Sequence, residues 1–69
     1  MITIYTLPTC PKCKILKTKM LNKNIGFTED QDIRKMQSLG ISSTPALYIE
    51  NENRLITDFM EINNYIESL

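Results

Sequence analysis

The sequence has no histidine, only two glycines and only two cysteines, and its eight basic and eight acidic residues cancel to a net charge of zero. Each shortage excludes something. Without histidine the usual Cys/His zinc sets cannot be assembled. A zero net charge predicts no broad attraction to nucleic acid or to an anionic membrane. No apolar run approaches the ~18 residues of a membrane span. Met1 runs straight into a strand pattern, with no basic leader, long apolar stretch or small-residue cleavage site, so no secretory signal is expected. Two cysteines this close cannot staple a small secreted fold, because a disulfide closing so short a loop constrains little. The pair is better explained by chemistry in a reducing interior, and a cytoplasmic location follows as the expectation. With 69 residues the chain is read as a single domain, 1–69, near the size at which one core is only just sufficient.

What is present is Cys10-Pro11-Lys12-Cys13, one short apolar segment in from the start. Such a spacing can mark a redox pair or half of a metal site. Ile2-Thr3-Ile4-Tyr5-Thr6 alternates and is β-branched, as a strand should be. A turn with Pro8 follows, then Cys10, Pro11 and residues at helical spacing. Proline suits the first helical position, where its fixed φ matches the helix and its missing N–H is no loss. Cys10 then falls at the N-cap and Cys13 at the third helical position, a pair of positions whose side chains can meet. The two sulfurs should lie close enough to bond. The thiolate is the reactive form, and an ordinary thiol near pKa ~8.5 is mostly protonated at neutral pH. At the N-cap, Cys10 faces unpaired backbone N–H groups and the positive end of the helix dipole, with Lys12 and Lys14 adding charge nearby. Cys10 is therefore the expected nucleophile and Cys13, pointing back along the helix, the more buried resolving thiol.

Further along, Lys14 to Asn24 reads as a helix with Cys13, Leu16 and Met20 on one face, flanked by Ile15 and Leu21. Lys12, Lys14, Lys19 and Lys23 lie mostly off that stripe, as a solvated face would. Gly26 follows as a turn or cap residue, and a short strand is expected around Ile25 to Thr28. Ile33, Met36 and Leu39 give a second helix, with Asp30 as its N-cap and Gly40 as its C-terminal cap. Ala46 to Ile49 and Arg54 to Thr57, joined by Asn51-Glu52-Asn53, read as a hairpin. Asp58 and Glu61 open a last helix with a capping-box pattern, and Ile62, Tyr65, Ile66 and Leu69 form its apolar stripe. The order is β-α-β-α-β-β-α. A right-handed crossover pairs the first two strands in parallel, and the hairpin adds two antiparallel ones. The expected architecture is an α/β four-stranded mixed sheet with helices on both faces, the cysteines at the carboxyl end of a central strand.

That order, with Ile4-Tyr5-Thr6 leading to Pro8-Thr9-Cys10-Pro11-Lys12-Cys13, resembles the glutaredoxins and, more broadly, the minimal thioredoxin fold. The resemblance covers essentially the whole chain. Lys12 stands where glutaredoxins carry tyrosine. The family keeps a cis proline beside the cysteines, and Pro45 matches it, so the resemblance implies a cis Thr44–Pro45 bond. Proline is almost the only residue whose preceding bond can be cis. The Thr44 backbone is then free to bind an extended substrate next to Cys10. Leu7 stands where the family places a basic residue for glutathione, and Ile56-Thr57 where it places a Gly-Gly pair. Small glutaredoxin-like hydrogen donors of ribonucleotide reductase, which take electrons from thioredoxin reductase instead, share the Ile-Thr-Ile-Tyr-Thr opening and the Leu39-Gly40 pair.

The residues and the resemblance together imply a small monomeric dithiol redoxin that reduces protein disulfides through Cys10 and Cys13. Pro11, Lys12, Thr44, Pro45 and Tyr5 are its candidate substrate contacts, although Tyr5 equally suits packing. No bound cofactor and no metal are expected. The upstream reductant, glutathione or thioredoxin reductase, is left open. The rival class is a non-catalytic module in which the two thiolates bind zinc or share an iron–sulfur cluster across a dimer, for which half the ligands are missing.

Overall fold

The computed structural model describes all residues, 1–69. Strand β1 (Ile2–Tyr5) is followed by helix α1 (Pro11–Asn22), β2 (Thr28–Asp30) and α2 (Ile33–Ser38). Strands β3 (Ala46–Ile49) and β4 (Arg54–Ile56) are joined through a 3-10 turn at Glu50–Glu52, and α3 (Phe59–Glu67) closes the chain. The sheet order is β2-β1-β3-β4, with β1 parallel to β2 and antiparallel to β3, and β3 antiparallel to β4. This is the mixed four-stranded sheet expected from the sequence.

Alternation along the strands divides the core between two faces. Ile4, Leu47, Ile49 and Ile56 pack with Leu16 and Met20 of α1 and Ile62 and Ile66 of α3. On the opposite face Tyr5 and Ala46 meet Met36 of α2 and Ile41, with Tyr48 against them. Two helices thus cover one face and one short helix the other. No helix is long and apolar enough to cross a membrane.

Several sequence expectations shift on this frame. The second strand begins at Thr28 rather than spanning Ile25 to Thr28, because α1 ends in a left-handed cap that delays it. Asn24, at φ 59°, is the cap residue in place of Gly26. Its N–H bonds Leu21 O, and Ile25 N–H bonds Met20 O at 2.9 Å, the double closure of a Schellman motif. Three polar residues form β2, so no apolar alternation marks it; pairing of its backbone with β1 makes it a strand. Asp30 is consequently the last residue of β2, and Asp32 caps α2 by accepting from the N–H groups of Arg34 and Lys35. Asp30 instead accepts the Asp32 N–H at 2.8 Å and pairs with Lys35. Ile15, Leu21 and Leu69 are all more than half exposed: Ile15 and Leu21 lie off the buried stripe of α1, and Leu69 falls beyond the end of α3 at Glu67.

Lys19 and Lys23 are not free in solvent as the pattern suggests. Lys19 Nζ donates to Asn63 Oδ1 at 2.6 Å and pairs with Glu67, and Lys23 Nζ donates to the Ile66 and Glu67 carbonyls at 3.0 Å. These carbonyls lie at the α3 C-terminus, where cations are favoured; the Ile66 carbonyl also accepts the Leu69 N–H at 3.1 Å. At the other end of α3, Asp58 accepts from Glu61 N–H at 3.1 Å, which forms the N-cap half of the capping-box pattern without the return bond to the Glu61 side chain.

Helix α2 ends in a second Schellman motif. Gly40, at φ 77°, directs its N–H to Gln37 O, and Ile41 N–H bonds Met36 O at 2.9 Å. Open space surrounds the position a Cβ would occupy at both Gly40 and Gly26. Backbone conformation alone therefore separates the two. Gly40→Ala should destabilise the fold by about 1–2 kcal/mol through the left-handed penalty, and Gly26→Ala by much less. Urea unfolding followed by circular dichroism checks the pair; equal losses would contradict the account.

Candidate active site

The sheet register brings four chain segments to one edge. Tyr5 pairs with Ala46, so Pro45 lies level with Thr6, just past the carboxyl end of β1. The Thr6 N–H bonds Asp30 O at 3.0 Å, fixing the end of β2 there too. Because β4 runs parallel to β1, its carboxyl end delivers Asp58 and the start of α3 to the same edge. The loop from Thr6 to Cys10 opens at this edge, the place where α/β folds concentrate their sites.

Cys10 is the N-cap of α1, extended at φ −110° and ψ 102°, and Pro11 is the first helical residue. The Cys10 Sγ accepts the Cys13 N–H at 3.2 Å. The two sulfurs are joined in a disulfide, with Cα atoms 5.2 Å apart. Cys10 is half-buried, whereas Cys13 is 1% exposed. An attacking partner can therefore reach only the first sulfur. A cleft of about 260 Å³ opens onto it, walled by Pro8, Thr9, Pro11 and Lys14.

The remaining candidates separate. The Thr44–Pro45 bond is cis, as the resemblance implied; Pro45 is buried and Thr44 half-buried. Thr44 lines a second hollow of about 240 Å³ with Leu7, Ile33, Met36, Gln37, Ile41 and two serines. Lys12 is exposed and does not line the Cys10 cleft; its ammonium lies over the ring of Phe59, 5.6 Å from the centroid. Tyr5 is 3% exposed and packs on the α2 face of the sheet, so its role is packing rather than substrate contact. Tyr48 and Tyr65 are also packing residues, their hydroxyls donating to Asn53 Oδ1 at 2.6 Å and Glu52 Oε2 at 3.0 Å. No group of three or more His, Cys, Asp or Glu comes together to hold a metal ion.

A polar network beside the site has no counterpart in the sequence reading. Thr6 is fully buried; its hydroxyl donates to Glu29 Oε2 at 2.6 Å and accepts from Gln31 Nε2 at 3.1 Å. Lys17, one helical turn beyond Cys13, donates to the same carboxylate at 2.8 Å. Lys17 and then Thr6, by hydrogen bonding, hold the Glu29 carboxyl below its usual range, against the opposing effect of burial. Ile4 and Thr6 share a face, which signals where Thr6 points. Its partner Glu29 sits in the strand whose start the pattern misplaces, so the network could not be assembled from sequence.

The sequence matches no protein-family model and no curated protein. Solved structures do resemble it. A crystal structure of a thioredoxin-like protein superposes with a TM-score of 0.72 at 25% identity, covering 96% of this chain and 99% of that one. A point mutant of the same protein gives 0.72 at 24% identity. A glutathione transferase homologue from Sulfitobacter, crystallised with glutathione, gives 0.78 at 17% identity over 99% of this chain and 36% of its own. The chain has the thioredoxin fold. A thioredoxin fold with a disulfide at the first turn of its first helix fits a redox role.

The Glu29 network supplies a pH signature for this fold. A carboxyl whose folded-state pKa is depressed adds stability above its ordinary value of 4.5 and loses it as pH falls through the lower folded value. Lys17→Met removes the first cause of that depression. The variant should be less stable than the parent at neutral pH, and the gap should close as the pH drops below the folded-state pKa of Glu29. Urea midpoints measured from neutral to acid pH test this; a gap independent of pH would assign Lys17 a packing role only.

Proposed function

We propose that this protein is a monomeric dithiol oxidoreductase that reduces protein disulfides in a reducing cytoplasm. The observation that carries the reading is the asymmetric pair: Cys10 half-open at a helix N-cap, bonded to a Cys13 that is closed off from solvent. In the reduced protein the Cys10 thiolate attacks one sulfur of a substrate disulfide. A mixed disulfide forms, and the departing substrate sulfur takes up a proton. Cys13, as thiolate, then attacks Cys10 Sγ, releasing the second substrate sulfur and forming the Cys10–Cys13 bond. Two electrons pass to the substrate, and an external dithiol or thiol reductant restores the pair. The free backbone N–H groups of the first helical turn favour the thiolate of Cys10 at each stage where it is anionic.

The hollow beside Thr44 supports a polypeptide substrate. None of its lining residues is charged, and Leu7 and Ile33 are its exposed apolar members. At about 240 Å³ it lies below the usual range of small-molecule pockets and suits a single side chain. Glutathione carries two carboxylates that would find no counter-ion there, so a thioredoxin reductase is the favoured reductant.

Cys10→Ser should abolish turnover, and Cys13→Ser should accumulate mixed disulfides with substrate that gel electrophoresis without reductant resolves. The electron source is read from NADPH consumption with a disulfide substrate. One reaction contains glutathione and glutathione reductase, the other thioredoxin reductase. Turnover with the reductase alone is expected. Fast turnover with glutathione would overturn that assignment, and a Cys10→Ser protein with native turnover would overturn the exchange mechanism itself.

A further inference from the structure

Two lysines flank Cys13, and the structure treats them differently. Cys10 and Lys14 stand four positions apart, joined by the Lys14 N–H to Cys10 C=O bond at 3.3 Å, and so share one helix face. Lys12, two positions from Cys10, is rotated about 200° round the helix. Lys14 accordingly walls the cleft that opens on the Cys10 sulfur, and Lys12 does not. The Lys12 ammonium rests 5.6 Å from the centre of the Phe59 ring. That ring is half-buried against the main core, so it is a fixed platform and not a mobile neighbour.

We propose that Lys14 is the cation that acts on the Cys10 sulfur, while Phe59 holds the Lys12 ammonium away from it at the start of α3. Phe59 is then a positioning residue, acting on the thiol only through Lys12. Other charges face the site from few directions. Asp58 and Glu61 lie in the first turn of α3, with the Asp58 carboxylate accepting the Glu61 N–H. The Leu7 to Thr9 and Ser42 to Thr44 segments carry none. The attraction of a ring for an exposed ammonium is comparable to that of a screened surface charge, so the ring can compete with a thiolate for Lys12.

The inference rests on the exchange reading above, but its test needs no substrate protein, so the two fail separately. The reduced protein is alkylated with iodoacetamide across pH, and modification of Cys10 is located by peptide mass to give its pKa. Lys14→Gln should raise that pKa by about 0.2–0.7 unit, slowing alkylation roughly two- to fivefold below the pKa. Lys12→Gln should leave it nearly unchanged. Phe59→Leu, which keeps an apolar group in the core, should lower it by up to about 0.5 unit, and should do nothing in a Lys12→Gln background. Raised salt should shrink these differences. A Lys12→Gln shift equal to or larger than that of Lys14→Gln would overturn the proposal. So would the absence of any shift in Lys14→Gln, or a Phe59→Leu shift that persists without Lys12.

Discussion

The position of β1 between β2 and β3 is the constraint on which the site depends. Its parallel pairing with β2 and antiparallel pairing with β3 fix what lies level with its last residue. Asp30 stands on one side of Tyr5 and Ala46 on the other, so Gln31 and Pro45 are delivered beside Thr6 by main-chain hydrogen bonds alone. A one-residue slip against β3 would turn Leu47 and Ile49 out of the main core and send Ala46 and Tyr48 into it. The buried set on each face forbids that slip. Site geometry and core packing are enforced by the same ladder, so no separate device is needed to align the cysteines with the proline loop.

Within that frame the helices have distinct duties. Helix α1 presents the sulfurs at its first turn and buries Cys13, Leu16 and Met20 along one stripe. Helix α3 packs beside it and is gripped at its far end by Lys19 and Lys23. Its near end supplies Phe59 to the cysteine edge. Helix α2 covers less of the sheet, and its short span leaves the hollow between Leu7 and Thr44 uncovered. The three helices thus differ in how much core they close.

The strand-loop-helix opening was legible because several local rules agree: alternation in Ile2–Tyr5, proline at the first helical position and a cysteine at each of two positions that can meet. The element order and the last helix were legible for the same reason, with Asp58 and Glu61 marking the start of α3. The β2 strand was not. Thr28, Glu29 and Asp30 have no apolar alternation, only Thr28 favours a strand, and pairing with their partner strand defines them. Misplacing it by about three residues also moved the cap of α2 from Asp32 to Asp30 and hid the Thr6–Glu29–Lys17 network. The lysines were illegible in a different way. Helical periodicity places each on a face, but whether that face meets solvent, a neighbouring helix C-terminus or an aromatic ring depends on contacts more than 40 residues away in sequence. Tyr5 had two readings open to it, and strand alternation combined with the sheet order decides for the α2 face.

The hydrogen bond from the Cys13 amide to the Cys10 sulfur links redox state to shape in an economical way. The sulfur that accepts it belongs to the cap of the helix, and a thiolate at that position accepts an N–H at least as well as a disulfide sulfur does. Both ends of the bond to be made or broken lie within a single helical turn, so no distant parts of the chain are tied together or set free. Making or breaking that bond would therefore ask for the rearrangement of little more than a pair of side chains. In the proposed exchange a partner would meet nearly the same surface in either redox state, and would discriminate between them through the sulfur it touches.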